Sequence, residues 1–454
     1  MLDGIPHEVL NVCQRLRQDG HAAFVVGGSI RDLLIGRPPG DFDVATSAHP
    51  ETTLRLFGSR YAIPTGLQHG TVTVLAGEPG AQRPVEVTTF RGEGAYLDGR
   101  RPSTVNFSAT LEDDLSRRDF TINAIAYEPA AETIIDPYDG QGDIGRKLVR
   151  AVGDPLLRFA EDGLRPMRGV RQAAQLGFAL EAATEAAIPQ TLASFRKVSA
   201  ERIRDELRKL LLAPVPSLGI EAMRRTGLLA EVLPELLPTI GCMQNRFHQH
   251  DVYAHTLATL DAAVPDFVVR MAALLHDLGK PATQAPREGA PGEFTFFRHE
   301  KLGADIAETI CTRLKLSTEE HTKICALVAG HMFFYTPDWT DGTVRRFVKR
   351  VGAELVPLLF AVREADVASR GQGEDREAET RELRQRIAKV AAADAALHVT
   401  DLAIDGEDVM RTLGIPPGRR VGEVLEALLE KVLDDPTLNQ PETLERLVRE
   451  SGGS

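Results

Sequence analysis

GGSIRDLLIGRPPGDFDVAT, residues 27–46, decides how the first third of the chain folds. The apolar run AAFVVGG that leads into it is too short for a stable helix and reads as a buried strand ending in glycines. SIRDLLIG then reads as a helix with Ser29 as its N-cap, and DFDVAT as the next strand. Asp41 and Asp43 stand two residues apart, so on a strand both carboxylates point to one face. Side by side they repel unless a cation sits between them, and hard oxygen ligands suit Mg²⁺. Gly27 and Gly28 fall where strand becomes helix, a turn whose backbone N–H groups can approach a phosphate, with Arg31 close enough to add charge. Glu86, in PVEVTTF, supplies a third carboxylate if its strand lies alongside. Three carboxylates with two metal ions and a triphosphate make a phosphoryl-transfer site.

Working outward, residues 5–19 read as an amphipathic helix ended by Gly20, and TVTVLAG and PVEVTTF alternate with the period of strands. Strands and helices alternate to about residue 150, the pattern of an α/β or α+β unit. From about residue 155 the apolar spacing is helical almost throughout. Residues 284–294 read as a Pro/Gly loop and 371–377 as a polar linker before a charged helix at 378–393. The tail reads as short helices joined by IPPGRR and DPTLNQP. With 43% hydrophobic and 26% charged residues, the composition is that of a globular protein with several cores. No apolar run is long enough for a membrane span, no signal peptide is evident, and a cytoplasmic location is expected. Cys13, Cys242, Cys311 and Cys325 are scattered and read as reduced core residues. The net charge of −12 argues mildly against nucleic-acid binding, yet arginines gather at 158–171, 196–209 and 345–350.

One of those clusters, EDGLRPMRGVR, reads as a helix carrying Asp162, Arg165, Arg168 and Arg171 on one surface. A carboxylate only accepts hydrogen bonds and a guanidinium only donates. An Asp/Arg pair therefore fits a base edge with an amino donor beside a ring-nitrogen acceptor, which cytosine and adenine share. Guanine and uracil present the opposite order and leave buried groups unpaired. Pro166 stands inside this segment, where proline kinks a helix unless it lies in the first turn.

Five ordered segments make the resemblance specific. Residues 27–46 resemble the first motif of the bacterial-type (class II) tRNA CCA-adding enzymes and the related poly(A) polymerases. TFRGEGAYLDGRRP (89–102) resembles their flexible loop and RRDFTINAIAY (117–127) their second motif. DPYDGQGDIGRKLVRAVGDP (136–155) resembles the connector to the neck, and RFAEDGLRPMRGVRQAAQLGF (158–178) the base-recognition motif. The likeness covers roughly the first 230 residues. It implies that Asp41, Asp43 and Glu86 are catalytic, with Mg²⁺ on Asp41 and Asp43, and that Asp162 and Arg165 select the base. Gly28, Arg31, Arg118, Arg168 and Arg171 then contact the nucleotide. A full loop with Arg91, Tyr96, Asp98, Arg100 and Arg101 goes with addition of A.

Downstream, His255, the adjacent His276-Asp277, His299, His331 and Asp366 follow the order of the HD phosphohydrolase superfamily, with Lys280 beside them. Imidazoles and carboxylates together suit a divalent transition metal or Mg²⁺. The tail 402–433 resembles the C-terminal part of HD-fused members, and its Gly418-Arg419-Arg420 turn reads either as an RNA-backbone contact or as a simple helical hairpin cap.

The resemblance thus implies a polymerase-β-like α/β head at 1–150, a helical neck at 151–235, an HD-type helical domain at 236–380 and a helical tail at 381–454. The expected activity is template-independent addition of CCA to the tRNA 3′ end from CTP and ATP, with HD phosphohydrolysis in addition. The alternatives are an A-adding enzyme, a poly(A) polymerase, or an HD phosphohydrolase whose first half only binds nucleotide.

Overall fold

The computed structural model describes residues 2–92, 110–244, 251–290, 293–370, 374–392 and 398–451. The chain forms two compact units, Met1–Pro234 and Glu235–Ser454. The expected lines at 150/151 and 380/381 lie inside these units.

The first unit is built on seven strands: β1 (Ala23–Val26), β2 (Phe42–Thr46), β3 (Ala62–Gly66), β4 (Thr71–Ala76), β5 (Arg83–Thr89), β6 (Ala126–Glu128) and β7 (Thr133–Ile135). They lie in the order β3-β4-β5-β2-β1-β6-β7, with β2 and β5 parallel and every other neighbouring pair antiparallel. Alternation sorts the side chains. Phe42, Val44, Val85 and Val87 turn to one face, where they are buried against Val9, Val12, Cys13 and Leu16 of the helix His7–Gln18. The residues between them, Asp43 and Glu86, turn to the other face.

After the sheet come helices, among them Pro155–Glu161, Arg165–Leu176 and Ala200–Leu211. The segment read as one helix from Glu161 to Arg171 is in fact two. Asp162 is extended, with φ −138° and ψ 106°, and a new helix starts at Arg165. Pro166 sits in the first turn of that second helix, where no N–H is needed. Gly163 is pressed against a neighbouring turn so closely that a Cβ would lie 2.3 Å from the Ser194 carbonyl oxygen. The sharp crossing therefore requires glycine there.

The second unit is helical. Val252–Ala262, Phe267–Leu275, His299–Arg313, Thr318–Gly330 and Val356–Ala368 form its first part. Gly406–Leu413, Arg419–Asp434 and Pro441–Ser451 form a small core of their own around Val409, Leu429 and Leu444. Two readings need correction. The loop expected at 284–294 contains the ends of a short antiparallel ribbon, Gln284–Pro286 against Phe294–Phe296. The charged helix begins at Glu374, inside the expected linker, and runs to Ala392. Among the described residues no helix is long and apolar enough to cross a membrane.

Candidate active site

The strand β1 ends at Val26, and the chain turns at Gly27 with φ +82° before the helix Gly28–Leu34. Only glycine adopts that backbone without strain, and a Cβ at this point would also lie 2.8 Å from an Arg118 guanidinium nitrogen. Gly27 is thus the residue before the helix, and Ser29 is not the N-cap. Its hydroxyl instead donates back to the Val26 carbonyl at 3.3 Å.

Opposite this turn, Asp43 on β2 stands directly beside Glu86 on parallel β5. Asp41 lies one residue before β2 and is exposed. Burial pushes the Asp43 carboxyl up to about 6, with Glu86 and Asp41 adding repulsion and the Arg118 charge opposing it. A buried carboxylate with two more acidic groups beside it is a donor set that a hard divalent cation relieves.

Asp43 and Glu86 line a cleft of about 490 Å³ together with Gly28, Arg31, Arg118, Asp162, Arg165, Arg168 and Arg171. Nine of the ten catalytic and nucleotide-contacting residues expected from the sequence therefore line one cavity, and the tenth, Asp41, acts electrostatically on Asp43. Arg91 also lines it. Tyr96, Asp98, Arg100 and Arg101 lie outside the described residues.

The arginines are held by partners that sequence reasoning missed. Arg31 donates to Asn123 Oδ1 at 2.7 Å and pairs with Asp32 at 2.8 Å. Arg118 pairs with Asp114 at 3.2 Å and Arg171 with Glu206 at 2.5 Å. Arg168 pairs with buried Asp119 at 2.6 Å. Burial alone would push the Asp119 carboxyl up, but the Arg168 charge and the Asn123 amide hold it well below the usual range. The signal for Asp119 was its place beside Arg118 in the second motif. Its burial was invisible in one dimension.

Asp162 and Arg165 do not share a helix face. The Asp162 carboxylate accepts from Leu164 N at 3.1 Å and pairs with Arg202 at 2.8 Å. Arg165 donates to Glu161 Oε2 at 2.6 Å, to the Arg158 carbonyl at 2.8 Å and to the Arg117 carbonyl at 2.9 Å. These three bonds fix a guanidinium that has five N–H groups. The carboxylate likewise keeps lone pairs unused. Both groups border the cleft already oriented.

In the second unit, the other expected set converges. His255 Nε2 lies 3.1 Å from Asp366 Oδ1 and 3.6 Å from Asp277 Oδ2. His276 Nε2 is 3.2 Å from Asp277 Oδ2, and His299 and His331 Nε2 are 3.4 and 3.8 Å from Asp277 Oδ1. All six are buried. The Nδ1 atoms of His276, His299 and His331 are anchored on the carbonyls of Ala273, Phe296 and Val328, and that of His255 on the Ser369 hydroxyl. Such anchoring aims each Nε2 at the shared centre. Although His276 Nε2 is near Asp277, it makes no properly directed hydrogen bond there. Burial lowers His331 to about 3 and lowers His255 as well, so these two imidazoles are neutral and can bind a metal, whereas at His276 burial is outweighed by neighbouring Asp277, which raises the pKa. The donor set fits a divalent ion.

Fold and cleft together define a nucleotidyltransferase head. Residues 23–150 match the family model of the poly A polymerase head domain. Residues 177–239 match the model of the probable RNA and SrmB-binding site of polymerase A, and 296–448 the putative tRNA nucleotidyltransferase domain 2. A CCA-adding enzyme of Streptococcus gordonii is 33% identical, covering 98% of this chain and 97% of its own. An A-adding tRNA nucleotidyltransferase of Deinococcus radiodurans is 35% identical over 90% and 91%. The Bacillus stearothermophilus CCA-adding enzyme, solved in complex with CTP, superposes with TM-score 0.73 at 30% identity, covering 98% of this chain and 97% of that one. The chain belongs to the CCA-adding family of tRNA nucleotidyltransferases.

Proposed function

We propose that this chain completes the 3′ end of tRNA, joining C, C and A from CTP and ATP without a nucleic-acid template. The observation that carries the reading is the Asp43–Glu86 pair facing an arginine-lined cleft, in a chain similar over nearly its whole length to CCA-adding enzymes.

Asp41, Asp43 and Glu86 are the residues that would hold Mg²⁺. Two such ions supply charge stabilisation at the α-phosphate and lower the pKa of the attacking 3′-hydroxyl. Arg31, Arg118, Arg168 and Arg171 receive the triphosphate, and the turn at Gly27-Gly28 admits it close to the backbone. Asp162 accepts from the exocyclic amino group of cytosine or adenine, and Arg165 donates to the adjacent ring nitrogen. Arg202 and Glu161 act as positioning residues, because each holds one member of that pair. Pre-fixed donors and acceptors lose little freedom on binding, and a base with the opposite edge leaves them unpaired.

The second unit, on this reading, holds a divalent transition metal or Mg²⁺ on His255, His276, Asp277, His299, His331 and Asp366 and hydrolyses phosphoesters. Its support is the convergence of those six buried groups. Lys280, 2.6 Å from Asp277, is placed to meet a phosphate oxygen.

End-addition on three RNAs tests the first activity: a tRNA lacking CCA, a tRNA ending in CC, and an unrelated oligoribonucleotide, each with labelled CTP or ATP. C and A added to the first, and then a stop, is the expected result. The similarity to the Deinococcus radiodurans enzyme favours one second reading, addition of A alone. That outcome would appear as labelling of the CC-ended tRNA only. Long A tails on the unrelated RNA would overturn both.

A further inference from the structure

The cysteines read from the sequence as scattered core residues are not all independent. Cys311 lies near the end of the helix His299–Arg313, and Cys325 in the middle of Thr318–Gly330. These two helices pack against each other as a hairpin, whose turn carries Lys315 in the left-handed region at φ 53°. Across their interface the ligand atoms of Cys311, His321 and Cys325 all lie within 4.8 Å of one another. Glu308, one turn before Cys311, brings Oε2 to 3.0 Å from His321 Nε2 and to 3.9 Å from Cys325 Sγ. His321 Nε2 is buried, and its approach to Glu308 lacks hydrogen-bond geometry.

We propose that Cys311, Cys325, His321 and Glu308 form a zinc site, separate from the histidine–aspartate cluster. Glu308 and Cys311 are three apart on one helix, His321 and Cys325 four apart on the other, so each pair shares a face. Two sulfurs, an imidazole and a carboxylate give the soft, four-coordinate set that zinc takes in closed structural sites. With Zn–S near 2.3 Å and Zn–N near 2.0 Å, ligand atoms of a tetrahedral site stand roughly 3.5–3.8 Å apart. Closing from the present separation takes side-chain rotation within a hairpin already in contact. A metal would replace the misdirected carboxylate contact that His321 Nε2 now makes with Glu308.

Position gives the site its role. The same two helices end, at the far mouth of the hairpin, in His299 and His331, whose Nε2 atoms are 3.3 Å apart. Twelve residues separate His299 from Cys311, which along a helix is ~18 Å. A metal near the turn fixes the register of the two helices and so the spacing of the two histidines at the other end.

Cobalt substitution of the full chain tests this, because only thiolate ligands give a near-ultraviolet sulfur-to-cobalt charge-transfer band, and the histidine–aspartate cluster has no sulfur. The expected result is a wild-type band that Asp277→Asn retains, that Cys325→Ser reduces by about half, and that competing zinc removes. Cys325 and His321 are partly exposed, so Cys325→Ser and His321→Ala are mild substitutions. A second measurement needs no variant: zinc protects the partly exposed Cys325 thiol of the native chain from a maleimide reagent. Absence of the band in wild type, its persistence undiminished in Cys325→Ser, or its loss in Asp277→Asn overturns the proposal. So does a Cys311–Cys325 disulfide in the mass spectrum of the unreduced protein.

Discussion

Asp43→Asn is expected to lower nucleotide addition by about 10³-fold or more while making the metal-free protein more stable at neutral pH. The loss follows from removing a carboxylate at the centre of the donor set. The gain follows from linkage. An aspartate whose folded pKa is raised binds more protons folded than unfolded, so its contribution to stability falls as pH rises from the ordinary carboxylate range through about 6. Above that the penalty is complete. Discounted for partial exposure, it is on the order of 1–2 kcal/mol, which asparagine removes. The same pKa sets the pH profile of the wild type. Below about 6 the carboxyl takes a proton, and each further unit costs about tenfold in apparent Mg²⁺ affinity. Thermal melts with and without Mg²⁺ decide the matter. A variant that is destabilised without metal, or that adds nucleotides normally, removes Asp43 from the role.

The second large effect lies in the other unit. Asp277→Asn takes away the carboxylate on which His276, His299 and His331 converge and which Lys280 approaches at 2.6 Å. Buried Lys280 keeps its bond to Gln244 Oε1 at 2.7 Å but loses its counter-ion. Breaking a buried pair from one side costs about 3 kcal/mol. Metal content and hydrolysis of a phosphoester substrate are both expected to vanish, with CTP and ATP addition within about twofold of wild type. Metal analysis, urea unfolding and the two activity assays together check this. If hydrolysis survived, the cluster would not be its site, and if no metal were found in wild type the cluster would be a polar core.

The head was largely legible because its chemistry sits at strand ends with short sequence spacing. Alternation set Asp41 and Asp43 to one face and left Glu86 to join them if its strand lay alongside. The direct opposition of Asp43 and Glu86 needed the parallel β2–β5 register, which no local pattern encodes. The break between Asp162 and Arg165 escaped notice because Leu164 and Met167 keep the apolar spacing of a helix across it. Asp162-Gly163 and Pro166 were the local signs, and the backbone collision at Gly163 involves Ser194, far along the chain. The histidine–aspartate set spans more than a hundred residues and was read by resemblance, since its convergence depends on helix packing. Glu308-x-x-Cys311 and His321-x-x-x-Cys325 were in plain view. They carry no Cys-x-x-Cys signature, because the four side chains are divided between two helices.

The ion pairs of the cleft carry a last consequence. Arg31, Arg118, Arg165, Arg168 and Arg171 each already sit against a carboxylate of the same unit. A nucleotide entering this cavity therefore meets five arginines that are already paired. It trades places with, or shares, anions that the protein carries itself, much as a solute does on an ion-exchange resin with built-in counterions. Few small ions are set free by such a trade, so nucleotide affinity is expected to change little between low and high salt, unlike binding driven by counterion release. A chain with a net charge of −12 can in this way receive a polyanion in a cleft whose arginines are already paired.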